Sequence, residues 1–257
     1  MAIVGLFHSK ILSEAMARFC FPPDMDDKQA IIAKWIASLE HGTLDEVSEV
    51  SLHGDFLKDI FGQVLGYSGP VEGVTEWTLQ AERHTVSGGG SADGAIGFFQ
   101  GKNKGRIVAP IELKGARVDL DRNMPGRGYT PVQQGWWYAS EAGCNWVIVS
   151  NYRETRLYNR YKTPAHYESI NLADLADPAV FRRFYFLLCK ENFLAETAPS
   201  VVEQLLVQSD ATELDITNRL YLEYKEMRLC LLEYLRSVNP GVSISLLISK
   251  AQKILDR

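Results

Sequence analysis

The segment RIVAPIELK, from Arg106 to Lys114, is the part of the chain that most clearly indicates a sheet. The residues from Ile107 to Ile111 are apolar and partly β-branched, which is typical of a buried strand. Its end carries Glu112 and Lys114, which are two positions apart and therefore leave the same face of a strand. Ionised groups are costly to bury unless they are paired or bound to a metal. We therefore predict a central strand that brings two charged side chains to one end of a sheet.

The segments around this strand predict an α/β architecture. Two extended segments with a glycine-rich turn at Ser87–Ser91 precede it, and a helix and two further strands follow it. This order predicts a mixed β-sheet core flanked by helices. The predicted helices cover about residues 24–39, 52–65, 131–142 and 178–192, and the predicted strands cover about 77–85, 92–99, 106–114, 145–151 and 154–160.

The last part of the chain has a different pattern. From about residue 200 to residue 257 it is helical throughout, with one break at Asn239-Pro240-Gly241. We divide the chain into an N-terminal helical extension (1–25), a central α/β domain (26–195) and a C-terminal helical connector (196–257). The final helix looks unfinished, so we expect the chain to be a piece of a longer protein.

The composition is that of a globular protein, with 46% hydrophobic and 23% charged residues. Neither a signal peptide nor an apolar run of membrane-spanning length is visible, which predicts a cytoplasmic protein without a membrane partner. The four cysteines lie far apart and form no C-x-x-C pair. We therefore expect reduced, packed thiols and neither a disulfide framework nor a zinc site.

The charge is unevenly distributed along the chain. The net charge is −5, yet residues 101–131 hold seven Lys or Arg against three acids, and residues 151–162 are also basic. A local basic patch can bind a polyanion even when the whole protein is acidic, although a solvated surface is the more common explanation of such a cluster.

Asp93, Glu112 and Lys114 form the strongest candidate site. A hairpin can place Asp93 beside Glu112, and two converging carboxylates suit Mg²⁺. A neighbouring lysine can orient a water or help to deprotonate it, and the metal can polarise a phosphoryl oxygen. This combination is suited to phosphodiester hydrolysis. The alternative is an ordinary Glu–Lys pair on a half-exposed strand.

Gln134 and Tyr138 lie one turn apart on the helix that follows this strand, so they share a face. That face could point back at the metal site and contact DNA phosphate or a water. Packing of the helix on the sheet would explain the same spacing.

These segments together resemble a PD-(D/E)XK nuclease. They are Ala92-Asp93-Gly94, Ile111-Glu112-Leu113-Lys114-Gly115 and Gln134-x-x-x-Tyr138, the last similar to the Q-x-x-x-Y branch of the family. Asp55–Gly62, Trp146–Asn151 and Arg156–Tyr158 further resemble the N-terminal endonuclease region of type IIG/IIL restriction-modification enzymes. Ala92 stands where the family name has proline.

The resemblance implies a role for each matched residue. Asp93, Glu112 and the carbonyl of Leu113 would bind Mg²⁺, for which Mn²⁺ may substitute in such nucleases. Lys114 would position or activate water, and Gln134 and Tyr138 would support the site or contact DNA. A further acid is expected on the helix before the sheet, with Asp55 the first candidate and Asp59 and Glu82 the alternatives.

The resemblance also implies a restriction-endonuclease-like fold that acts on double-stranded DNA. The basic loop Arg117–Arg127 and the basic strip Arg153–Lys162 are expected to face the duplex. The arginines expected to contact phosphate are Arg117, Arg122, Arg127 and Arg153. The connector would lead to an adenine-specific methyltransferase that uses S-adenosylmethionine, and a transient homodimer could cut both strands. No N-P-P-Y/F tetrapeptide or G-x-x-x-x-G-K-S/T phosphate loop occurs in the chain itself.

Three other interpretations stay open at this point. The chain could be a repair or recombination nuclease with the same core, or a DNA-binding module that has the fold without the activity. It could also be a generic α/β protein in which Glu112 and Lys114 stand together by chance.

Overall fold

The computed structural model describes residues 5–72, 75–84, 91–101, 104–197 and 199–255. Most of the predicted turn at 87–91 lies outside these residues. The helices are α1 (Ser9–Arg18), α2 (Met25–Glu40), α3 (Thr43–Glu46), α4 (Glu49–Phe56), α5 (Pro131–Ala142), α6 (Pro178–Leu188), α7 (Lys190–Phe193), α8 (Val201–Val238) and α9 (Ile244–Leu255). The strands are β1 (Trp77–His84), β2 (Ser91–Gly101), β3 (Lys104–Leu113), β4 (Trp146–Ser150), β5 (Glu154–Asn159) and β6 (Tyr167–Asn171).

Within the described residues, the six strands form one mixed sheet in the order β1-β2-β3-β4-β5-β6. Neighbouring strands are antiparallel except for β3 and β4, which are parallel. A parallel pair needs a crossover connection, and α5 lies in the connection between these two strands. The mixed α/β class predicted from the sequence is thereby confirmed. The five predicted strands are present with ends shifted by a few residues.

Strand β6 was not predicted, because its sequence YESIN lacks a clear apolar alternation. Glu168 is nevertheless only 3% exposed, since it pairs with Arg183 and accepts hydrogen bonds from the backbone N–H groups of Leu6 (2.7 Å) and Phe7 (3.2 Å). These contacts tie the N-terminal segment to the sheet. The described part of the predicted extension 1–25 packs into the same core.

The helix predicted over 52–65 begins earlier and changes its geometry. It starts at Glu49, with Ser48 as its N-cap, and continues after α4 as a π-helical segment from Leu57 to Val64. Leu57 lies against β2, where a Cβ on Gly94 would come within 3.0 Å of its Cδ2 atom. Gly94 thus lets the helix approach the strand one residue away from Asp93. Such π-helical turns are frequent at functional sites.

The chain divides into two compact units, one ending at Leu206 and the other beginning at Val207. This division falls after the predicted boundary at 195/196, and Val202, Leu205 and Leu206 belong to the core of the first unit. In the second unit, Gln252 donates a hydrogen bond to the Tyr224 hydroxyl (2.7 Å), and Leu247 and Ala251 are buried. Among the described residues, no helix is both long enough and apolar enough to cross a membrane.

Candidate active site

The site lies where the central strands place their charged ends side by side. Gly94 of β2 is paired with Ile111 of β3 in antiparallel register, so the next positions, Asp93 and Glu112, are opposite each other on one face. Glu112 is in turn aligned with Val149 of β4. The register of the sheet alone therefore brings the two predicted carboxylates together.

Helix α5 packs closely on this part of the sheet at Gly135. A Cβ on Gly135 would lie 2.9 Å from Val147 Cγ1 and 3.1 Å from Val149 Cγ2, and 3.7 Å from the Cβ atom of Glu112. Only a residue without a side chain permits this approach, because Cβ contacts under 3.0 Å require the neighbours to shift. The close packing excludes solvent from Glu112, which is 0% exposed.

The amino group of Lys114 is at the centre of the cluster. It donates a hydrogen bond to Glu112 Oε1 and another to the carbonyl oxygen of Leu113 (2.9 Å), and it lies 3.7 Å from Asp93 Oδ2. Asp93 Oδ2 also accepts a hydrogen bond from the backbone N–H of Leu113 (2.8 Å). The structure thus brings together the four residues that the sequence selected for metal binding and water positioning.

Glu49 and His53 complete the cluster and were missed in the sequence. Glu49 Oε1 lies 3.9 Å from Lys114 Nζ, and its Oε2 atom accepts a hydrogen bond from the N–H of Gly115 (2.7 Å). His53 Nδ1 lies 4.0 Å from Asp93 Oδ1, and His53 Nε2 lies 3.8 Å from Glu49 Oε1. The available signal was Ser48 as an N-cap, which would have placed Glu49 and His53 one turn apart on a helix.

The three acids named from the sequence as the further acid have other surroundings. Asp55 is exposed and lines a groove with Lys34 and Trp35. Asp59 accepts hydrogen bonds from Trp35 Nε1 (3.2 Å) and Gln63 Nε2 (2.7 Å). Glu82 is exposed on β1. Among the acids of α4, it is Glu49 and not Asp55 that lies near Lys114.

The protonation of the cluster follows from burial and mutual repulsion. The pKa of Glu112 is raised overall to about 8, because burial and the nearby charge of Asp93 raise it more than Lys114 lowers it. Burial alone would lower the pKa of Lys114, but the adjacent Glu112 and Asp93 raise it overall. Lys114 therefore stays a cation at neutral pH, while the cluster around it carries more acids than bases.

Gln134 and Tyr138 are buried on the sheet side of α5, where the Gln134 amide donates a hydrogen bond to the Tyr138 hydroxyl (2.8 Å). Burial raises the pKa of Tyr138, the hydrogen bond from Gln134 opposes this, and the charges of Glu112 and Asp93 raise it further. The pair is thus close enough to the cluster to respond to its charge. Gln134 Oε1 in addition accepts from Arg127 Nη1 (3.5 Å).

The arginines predicted to contact DNA fall into two groups. Arg117 and Arg122 have exposed side chains (74% and 84%), and Arg127 is exposed as well. Arg153 is bound by both carboxylate oxygens of Asp45 (2.7 Å each), which was not expected. The Nη2 group of Arg153 is thereby already hydrogen-bonded within the protein.

The remaining basic residues of the predicted strip also serve the fold. Arg156 is 6% exposed and forms two hydrogen bonds with Asp121 (2.8 and 3.0 Å) and two with Glu154 (2.7 and 2.9 Å). Arg160 donates to the backbone carbonyls of Ala139 and Cys144 (3.1 and 2.9 Å). These two guanidiniums are therefore bound by acceptors within the protein, which was not expected of a strip that faces a duplex.

Comparisons of the chain with protein-family models, with curated proteins and with solved structures found no match. A function for the chain therefore rests on the geometry of the site.

The atoms that the site offers as ligands limit which kind of metal ion it could bind. Within the ranges that the structure describes, no three His, Cys, Asp or Glu side chains are arranged so that they could hold a metal ion. The oxygens that surround Lys114 Nζ are instead two strand carboxylates, one backbone carbonyl and, at 3.9 Å, Glu49. Glu112 Oε2 is buried and has no hydrogen-bond partner. An oxygen-only set with an unsatisfied carboxylate oxygen fits a hard cation better than a soft one.

Proposed function

We propose that this chain is a Mg²⁺-dependent DNA endonuclease domain with a restriction-endonuclease-like core, belonging to a type II restriction-modification protein. The observation that carries the proposal is the convergence of Asp93, Glu112 and Lys114 at one end of the sheet. Under this proposal the intact protein also contains an adenine-specific methyltransferase that uses S-adenosylmethionine.

The charge of the cluster supports a divalent cation there. Three carboxylates, those of Glu49, Asp93 and Glu112, lie within 4.0 Å of a single ammonium group. Asp93, Glu112 and the Leu113 carbonyl would hold Mg²⁺, which typically takes one or two carboxylates and completes its shell with water and phosphate oxygens. Mn²⁺ would accept the same ligands. Bound there, the ion would polarise the scissile phosphate and neutralise charge on the leaving oxygen.

Side chains of the protein would orient the attacking water and bind the DNA. Lys114, kept cationic by its acidic neighbours, would donate hydrogen bonds that orient the attacking water and would stabilise negative charge on the phosphate. Gln134 would hold the Tyr138 hydroxyl in place behind it. The exposed Arg117, Arg122 and Arg127 would contact backbone phosphates, which positions a duplex without reading its sequence. Contacts of this kind make binding weaker at high salt.

The proposal is tested by nicking of supercoiled plasmid in Mg²⁺ or Mn²⁺. Lys114→Ala and Asp93→Asn should each reduce the rate by at least about 100-fold, since one positioned catalytic group is worth about that much. Lys104→Ala is the matched control, because Lys104 is exposed at the opposite end of the same strand. Circular dichroism should show all three variants folded. Undiminished nicking by a folded Lys114→Ala variant would remove the proposed role.

A DNA-binding module without nuclease activity is the second candidate. It is favoured by the closed ion pair between Glu112 and Lys114 and by the absence, among the described residues, of a three-residue metal cluster. Retarded migration of DNA in a gel, together with no nicking by the unsubstituted protein in either metal, would establish it in place of the first.

A further inference from the structure

An exposed patch borders the candidate active site, and its two aromatic residues are not used by the proposed chemistry. Trp137 is 58% exposed, and it is the only one of the chain's five tryptophans that is exposed; all five lie within the described residues. The Tyr129 ring meets it edge-on, with 6.3 Å between ring centroids and 85° between ring planes. The guanidinium of Arg127 lies 5.9 Å from the centroid of the Tyr129 ring. We call Arg127, Tyr129 and Trp137 the aromatic patch.

The patch is tied to the site by helix geometry. Trp137 comes three residues after Gln134 on α5, so the two side chains are neighbours on the helix surface. Arg127 contacts Gln134 directly, with Nη1 3.5 Å from Oε1. A group stacked on Trp137 would consequently lie beside the turn of α5 that carries the Gln134–Tyr138 pair.

The folding of the surrounding loop holds the patch in this arrangement. The backbone N–H of Met124 donates to the carbonyl of Tyr129 (3.1 Å), and that of Arg127 donates to the carbonyl of Met124 (2.9 Å). Met124 is buried, and Thr130 caps α5 directly after Tyr129. An exposed tryptophan next to a fixed tyrosine therefore loses little conformational freedom when a flat ligand binds.

We infer that the aromatic patch stacks unpaired nucleobases of the DNA substrate, next to the phosphate that is cut. The inference rests on the proposed function and specifies its substrate as duplex DNA that carries unpaired nucleotides next to the cleaved phosphate. Exposed aromatic rings with an arginine beside them are typical of proteins that bind single-stranded nucleic acid, because every base has a face that stacks and every linkage carries a negative charge. Paired bases of a duplex are stacked on one another and do not offer those faces.

The test compares DNA binding by fluorescence anisotropy in Ca²⁺, so that binding is read without cleavage. The probes are a blunt duplex, the same duplex with a single-stranded overhang, and an oligothymidine of about eight nucleotides. Trp137→Ala should weaken binding of the two probes with unpaired bases by roughly tenfold and leave the blunt duplex unaffected. Trp137→Phe retains a stacking ring and should restore most of the affinity. Tyr161→Ala, at an exposed tyrosine beyond the far end of β5, is the matched control and should change nothing.

A second measurement follows Trp137 itself. Oligothymidine should quench the tryptophan fluorescence of the unsubstituted protein, and this quenching should disappear in Trp137→Phe even though that variant still binds. The inference is overturned if Trp137→Ala weakens all three probes equally, or if it weakens none.

These outcomes separate the two proposals. Stacking without nicking in Mg²⁺ or Mn²⁺ would overturn the nuclease and leave the patch as a base-binding surface. Nicking of plasmid by a Trp137→Ala variant whose oligothymidine binding is unchanged would overturn the patch and leave the nuclease. Failure of the unsubstituted protein to bind any of the three probes would overturn both.

Discussion

Glu49 shows how one side chain can serve structure and chemistry at once. Its Oε2 atom fixes the backbone just after Lys114 through the N–H of Gly115, while its Oε1 atom faces the lysine at 3.9 Å. A glutamine at this position keeps an oxygen for the backbone hydrogen bond and removes the negative charge from the cluster.

We therefore expect Glu49→Gln to fold normally and to nick DNA at least about tenfold more slowly at low Mg²⁺, with part of the loss recovered at high Mg²⁺. The matched control is Asp55→Asn, which removes an exposed acid from the same helix. Nicking rates across a magnesium titration measure both. Equal losses in the two variants would show that Glu49 has no special place at the site.

The sequence revealed the parts of the site that are local and not the parts that depend on distant partners. Glu112 and Lys114 were found because their spacing lies within one strand, and Asp93 because a hairpin has few registers. The burial of Glu168 depends on Leu6 and Phe7, some 160 residues away in the chain. No local pattern could show such a partner.

The same limit applied to the arginines. Arg153 is held by Asp45 across 108 residues, and Arg156 is held by Asp121 across 35. A run of basic residues looks alike in sequence whether its members face solvent or carboxylates, so the strip was interpreted as a DNA-facing surface.

At the scale of elements, the packing of α5 on β4 depends on Gly135. An alanine there would place its Cβ 2.9 Å from Val147 and 3.1 Å from Val149, both in the interior of the sheet. The neighbours of this methyl group are buried and cannot move aside without disturbing the strand.

We expect Gly135→Ala to lower the free energy of unfolding by about 1–3 kcal/mol, as overpacking of a core commonly does. Gly54→Ala is the matched control, because Gly54 lies in α4 with nothing within 4 Å of the new methyl group. That variant should gain about 0.5–1 kcal/mol from helix propensity. Urea denaturation measures both, and a Gly135→Ala protein as stable as the original would contradict the packing argument.

The elements were predicted best where the chain is most apolar. The residues of β4 are all buried, and a continuous apolar run indicates such a strand directly. The π-helical segment Leu57–Val64 could not be foreseen, because its apolar positions Leu57, Ile60, Phe61 and Val64 also suit an α-helix. The choice between the two depends on how the segment fits against β2.

At the scale of the whole molecule, the four cysteines form one buried pair and one exposed pair. Burial raises the pKa values of Cys144 and Cys189 to about 12, whereas Cys20 and Cys230 are exposed. The thiolate is the reactive form, so the buried pair is both inaccessible and protonated at mildly alkaline pH.

A chromogenic thiol reagent should therefore label two cysteines of the native protein quickly and the other two only as the protein unfolds. Added urea should make all four react at once. Cys20→Ser and Cys230→Ser, made together, should abolish the fast phase. Rapid labelling of Cys144 or Cys189 in the native protein would contradict the burial described here.

The contact between Tyr152 and Glu49 has a consequence for how the protein is made. The Tyr152 hydroxyl donates to the backbone carbonyl of Glu49 (3.2 Å), and the two residues are 103 positions apart. Contacts of such long range form late, because a large loop must close first. The ribosome must therefore release the chain as far as Tyr152 before this hydrogen bond can hold Glu49 beside Lys114. Asp93, Glu112 and Lys114 are all synthesised earlier, so the charge cluster gains this support only after its other members have emerged.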